Sequence, residues 1–112
     1  MRGSEKQIAW AEDIQQKCIA GALKNRKCPQ FFAAILLIEN DARFWIDNRK
    51  NDVLSILKLI KTKHFGSIKA LHEIFKQNEQ KKLDYQALFK LYLLNAPAQN
   101  VETADKKINW PF

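Results

Sequence analysis

Ser4-Glu5-Lys6-Gln7-Ile8-Ala9-Trp10-Ala11-Glu12-Asp13-Ile14-Gln15-Gln16-Lys17-Cys18-Ile19-Ala20-Gly21-Ala22-Leu23 decides the fold class. Ser4 followed by Gln7 is a capping-box pattern, in which the Ser hydroxyl accepts from the third helical N–H and Gln7 reaches back to the Ser4 N–H. Behind this cap Ala11, Ile14, Cys18 and Ala22 recur at spacings of three and four, which is one stripe of a helix. Trp10 sits one turn before Ile14 and is expected to widen that buried face. Asp13 and Lys17 form an i,i+4 pair in the favourable order. The pattern predicts a helix from the Ser4 cap to about Leu23.

Working outward, Lys24-Asn25-Arg26-Lys27 reads as a basic turn. Pro29 suits the first turn of a second helix, where its missing N–H costs nothing. Phe31 to Ile38 is apolar on every side, so that helix is expected to be the most buried. Asn40 and Asp41 break the run and cap a short helix with Ala42, Trp45, Ile46 and Arg49 on one face. Phe44 lies about 100° around the axis from Trp45, so the two rings are not expected to point the same way. Asn51 or Asp52 caps the next segment, whose inward face is Val53, Ile56, Leu57 and Ile60. His64-Phe65-Gly66 reads as a turn, with Ser67 capping a helix that turns Ile68, Leu71, Ile74 and Phe75 inward. Gln77 to Lys82 is a polar connector, and Asp84 caps a last helix bearing Tyr85, Leu88, Phe89 and Tyr92, widened by Leu91 and Leu94.

These segments make an all-α fold, a compact antiparallel bundle of about five helices joined by short connections. The helical bundle spans residues 1–95. Residues 96–112 form a C-terminal tail of different composition that ends Ile108-Asn109-Trp110-Pro111-Phe112, a group placed to dock on the bundle or on a partner. The 112 residues are one domain's length, and 46% hydrophobic content supplies a core.

Charge is uneven. The net formal charge is +7. Residues 1–49 carry eight Lys and Arg against six Asp and Glu, whereas residues 50–95 carry nine against four. A basic second half suits nucleic acid or an acidic partner. Lys50, Lys58, Lys61, Lys63, His64 and Lys69 fall between Arg49 and Glu73 with Asp52 as the one acid among them, and form the candidate nucleic-acid-binding set. They would meet the phosphate backbone of DNA or RNA rather than read bases, because arginine, which usually carries base readout, is scarce there.

Gly3-Ser4-Glu5-Lys6-Gln7-Ile8-Ala9-Trp10-Ala11-Glu12-Asp13-Ile14 resembles the opening of a group of uncharacterised small proteins encoded by phages and other mobile elements. In that group a second pattern follows, which reads here Asp41-Ala42-Arg43-Phe44-Trp45-Ile46-Asp47-Asn48-Arg49. The resemblance implies a source and a gene class but no activity. Longer members append a Cys-rich zinc-binding segment that this sequence lacks, so no metal role is implied. Both patterns read physically as a capped, Trp-bearing helix packed on a Trp-bearing partner. A third stretch, Leu57 to Leu71, is similar to a connector in the helix–hairpin–helix domains of excision-repair nucleases, without their Gly-rich phosphate-holding hairpin.

Catalytic chemistry has little to stand on. His64 and His72 lie eight residues apart with no nucleophile motif beside either. Cys18 and Cys28 form no Cys-x-x-Cys pair and read as buried free thiols of a reducing compartment. Glu39, Asp41 and Asp47 surround the second Trp pattern and are read as caps and ion pairs, Arg43 with Asp47 among them. No enzyme, cofactor or metal is therefore expected. The longest apolar run is far shorter than the roughly 20 residues a bilayer requires, and Met1 to Gln7 is too polar for a secretory leader, so a cytoplasmic protein is expected. The functional expectation is an accessory protein of a phage or mobile element that binds a host protein or nucleoprotein complex stoichiometrically, in its most concrete form an anti-CRISPR-like inhibitor. Its candidate anchors are Phe44, Trp110 and Phe112. The alternative is nucleic-acid binding through the basic second half.

Overall fold

A computed structural model describes residues 1–24 and 27–95. Trp110 and Phe112, and Asn25 and Arg26 of the basic turn, lie outside the described residues. The chain forms α1 (Glu5–Leu23), α2 (Pro29–Ile38), α3 (Ala42–Asp47), α4 (Val53–Lys63), α5 (Phe65–Gln77), a 3-10 turn (Glu79–Lys81) and α6 (Tyr85–Asn95). Among the described residues there is no strand, and the architecture is an all-α bundle.

The helices start where local chemistry supplies a cap. Ser4 Oγ accepts from the Gln7 N–H at 3.2 Å while Gln7 Oε1 accepts from the Ser4 N–H at 3.0 Å, the complete capping box. Asp41, Asp52 and Asp84 each take one N–H at the start of α3, α4 and α6, from Arg43, Ser55 and Ala87. Such caps typically contribute about 1 kcal/mol each. Pro29 opens α2 as expected, behind Cys28 in the left-handed region at φ 49°.

α2 is the centre of the molecule. Phe31 through Leu36 are all at most 1% exposed, and α1, α4, α5 and α6 all pack against this one helix. Around it lie Ile14, Ile19, Trp45, Ile56, Leu57, Ile60, Ile68, Leu71 and Leu88, all buried. α3 packs on α1. The first residues are pinned to the turn between α2 and α3, with the Arg2 N–H donating to the Asn40 carbonyl at 2.9 Å and the Ala42 N–H to the Arg2 carbonyl at 3.0 Å. Gly3 makes this close approach possible. Its φ is +143°, and a Cβ there would come within 3.0 Å of the Ala42 Cβ.

Four expectations are corrected. Trp10 is 49% exposed, not core. The buried arc of α1 runs from Ile14 across Ala11, Gln15 and Cys18 to Ile19, and Trp10 lies about 100° from Ala11, outside that arc. Leu94 is 72% exposed, because it sits about 120° around α6 from the buried Leu88. Cys28 is only half-buried, while Cys18 is buried. Ser67 caps nothing. The chain turns over His64 alone, which is both the end of α4 and the cap position of α5, so Ser67 falls within the first turn of α5.

Candidate functional site

Three local arrangements concentrate the polar chemistry of the bundle. The first is interior. Glu39 ends α2 and is 1% exposed. Its Oε1 lies 2.8 Å from Lys63 Nζ and 3.0 Å from His64 Nε2, and its Oε2 accepts from the Asp41 N–H at 3.1 Å. The Glu39 carbonyl accepts from the Trp45 indole N–H at 3.2 Å and from the Gln15 amide at 3.5 Å, and the same amide donates to the Leu36 carbonyl at 2.9 Å. Helix ends leave four carbonyls without partners inside the helix. Here side chains from α1 and α3 take that role. Glu39 therefore ties the end of α2 to α3 and to the α4–α5 junction, and burying its charge is tolerable because it is paired and hydrogen-bonded.

This cluster takes two members of the candidate nucleic-acid-binding set. Lys63 and His64 face Glu39, with Lys63 Nζ also 5.2 Å from the centre of the Phe44 ring. Of the others, Lys58 and Lys50 are exposed, and Lys61 and Lys69 are half-buried. Lys61 and Lys63 stand in the last turn of α4, where positive charge complements the helix dipole. Phe44 is half-buried against the core, edge-on to Trp45 at 5.4 Å and 86°. The two rings therefore do not diverge but meet edge to face, and Lys63 lies over the Phe44 ring.

The second arrangement is on the surface, where the two quoted patterns meet. The Arg49 guanidinium lies 5.4 Å from the centre of the exposed Trp10 ring, and its Nη1 donates to the Ile46 carbonyl at 2.7 Å. Trp10 and Arg49 border an open recess of about 550 Å³ between α1 and the α3–α4 connection, with Ile14, Cys18 and Val53 on its apolar side. Asp13 is held by Lys17 at 3.1 Å. Asp52 is occupied in capping α4, and its hydrogen bond to the Ser55 N–H holds its carboxyl below the usual carboxylate range. Beside α3, Arg2, Gln7, Asp41, Arg43 and Asp47 line a polar recess of about 590 Å³. The expected Arg43–Asp47 pair is present at 3.9 Å, with both side chains largely in water.

A third feature is a small cleft of about 180 Å³ among Cys28, Pro29, Phe75, Glu79, Lys82 and Leu83. Burial pushes the Cys28 thiol up, reinforced by the Glu79 carboxylate, so it is a poor nucleophile at neutral pH. The Cys18 thiol is raised by burial as well. Among the described residues no group of three or more His, Cys, Asp or Glu side chains converges on a point that would hold a metal ion, and no helix is long and apolar enough to cross a membrane.

No protein family, curated protein or solved structure matches the chain.

Sequence reasoning missed the Glu39 cluster and the surface position of Trp10. A signal for the first was present. Phe32, Leu36 and Glu39 stand at i, i+4 and i+7, so Glu39 continues a buried stripe, and Gln15 lies on the same stripe of α1 as Ala11, Cys18 and Ala22. The second depends on where α3 and α4 pass α1, which no local pattern states.

Proposed function

We propose that the protein is a small accessory protein of a phage or mobile element that acts without catalysis, by stoichiometric binding to a host macromolecule. A counter-defence inhibitor of the anti-CRISPR kind is the most concrete form of this reading. The observation that carries it is the Trp10–Arg49 pair. Trp and Arg are the residue types that most often dominate binding energy, and they do so from a recess ringed by polar groups. A Trp left half in water beside a recess with an apolar side and a polar rim, with a guanidinium held over it, has that anatomy. Support also comes from the two sequence patterns, which contribute one member of the pair each and pack against one another through α1 and α3.

Direct binding to nucleic acid is the second reading. It is favoured by the charge surplus of residues 50–95 and draws on Lys50, Lys58 and Lys69, since Lys63 and His64 are engaged by Glu39. Affinity capture from the native host, with and without nuclease and followed by mass spectrometry, separates the two. Stoichiometric binding predicts a discrete partner retained after nuclease at a fixed molar ratio. Loss of every partner on nuclease treatment transfers the function to nucleic acid, and recovery of none refutes the proposal.

A further inference from the structure

The recess beside Trp10 is one end of a longer furrow. α1 and α4 meet closely at Gly21, where a Cβ would come within 2.8 Å of Val53 Cγ2. Beyond that contact a second open recess of about 420 Å³ runs past Ala22, Lys24, Leu54 and Leu57. The two recesses share Asp52 and Val53, so they adjoin along the α1–α4 seam on either side of the Gly21–Val53 contact. Trp10 at one end and Leu54 at the other are both nearly half exposed, at 49% and 47%. From Trp10 to Ala22 is twelve residues of helix, roughly 18 Å.

Charge along the furrow has one sign to spare. Lys17, Lys24, Arg49 and Lys50 line it, and with Lys17 paired to Asp13 the surplus is carried by Lys24, Arg49 and Lys50. The carboxylates present are already committed, Asp13 to Lys17 and Asp52 to the first turn of α4. Apolar groups in both recesses, Trp10, Ile14 and Val53 in the first and Leu54 and Leu57 in the second, spread over about three helical turns with a cationic rim, which matches an amphipathic helix with its apolar face down and acidic residues along its flanks.

We infer that the α1–α4 furrow is the docking site for an acidic amphipathic helix of a protein partner, about twelve residues long, with Trp10 and Leu54 as the anchors at its two ends. This rests on the stoichiometric-binding reading and names the chemistry of the partner. Arg49 and Lys50 supply the charge that orients the incoming helix, and Lys24 marks the far end.

Two synthetic 14-residue helical peptides test it. Both carry the same leucine stripe; one has glutamates on its flanks and the other has lysines at the same positions. The glutamate peptide is expected to bind, to shift the indole N–H resonance of Trp10 and to weaken as salt rises, while the lysine peptide leaves that resonance in place. Trp10→Ala is expected to lower affinity at least tenfold and Lys50→Glu severalfold, with Lys90→Ala on α6 unchanged. All three positions are exposed, and circular dichroism of each variant verifies that the fold is retained. Failure of the glutamate peptide to move the Trp10 resonance, or equal binding of both peptides, overturns the inference. So does a shift of that resonance by a ten-residue oligothymidylate in place of the peptide. A captured host partner whose binding survives both Trp10→Ala and Lys50→Glu also refutes the furrow, while leaving stoichiometric binding in force.

Discussion

Replacing Glu39 by Gln keeps the volume of a buried side chain and removes only its charge. In the folded protein that charge faces Lys63 at 2.8 Å, His64 at 3.0 Å and the Asp41 N–H at 3.1 Å. Removing one partner of a fully buried pair costs about 3–5 kcal/mol, because the other charge is stranded. Here the stranding is incomplete, since the Lys63 side chain is 43% exposed and that of His64 27%, and both can turn to water. A hydrogen bond to a charged group contributes about 1.5–3 kcal/mol. The Gln keeps one acceptor oxygen but brings an NH2 that has to face a donor. The expected loss is about 2 kcal/mol, on the order of 10 °C in the melting temperature for a domain this size. Urea unfolding followed by circular dichroism at 222 nm measures it. A companion Lys63→Met variant and the double mutant give the coupling, expected at about 1 kcal/mol. High salt should alter the loss little, because the carboxylate itself is shielded from solvent. A loss below about 0.5 kcal/mol, or additive effects in the double mutant, would show that the cluster is ordered without contributing stability.

Two further predictions use the same assay. Trp45→Ala, which empties a fully buried site, should cost about 3–5 kcal/mol, whereas Trp10→Ala should cost less than about 1 kcal/mol; similar losses would return Trp10 to the core. His72 lies edge-on to Phe31 at 5.5 Å, and burial pushes its imidazole below the ordinary value of 6.5, with Lys76 acting in the same direction. A depressed folded value favours the neutral ring, so its contribution is complete above about pH 6.5 and is lost as pH falls through the folded value. His72→Gln should flatten the fall in stability between pH 7 and pH 5; an unchanged slope would assign that fall to other groups.

The legible part of the fold was the part written locally. The Ser4–Gln7 box, the Asp41, Asp52 and Asp84 caps and Pro29 each act within one turn, so their residues state the outcome without knowledge of any neighbour. α2 was legible because an all-round apolar helix has only one stable place. Trp10 was misread because stripe membership fixes an angle on a helix, not which angles a neighbour covers. Ser67 lost its role to His64 for a related reason. His64 is held from outside its own segment by Glu39, twenty-five residues earlier, and that fixes the junction ahead of the local signal. Of the candidate site, the basic set was visible as composition, but the division between Lys63 and His64, which meet Glu39, and the remaining lysines is a tertiary fact.

The closure of α2 by Gln15 and Trp45 bears on how the bundle comes apart. Those side chains satisfy the Leu36 and Glu39 carbonyls from two different helices. Peeling away α1 would therefore break the bond to the Leu36 carbonyl and expose the apolar face of α2 beneath it, and peeling away α3 would strip the Glu39 carbonyl of its indole. Neither helix has an inexpensive way to detach alone while the centre stays folded. The C-terminal end of α2 acts as a lock between elements far apart in the chain, which favours a single cooperative transition over stepwise fraying.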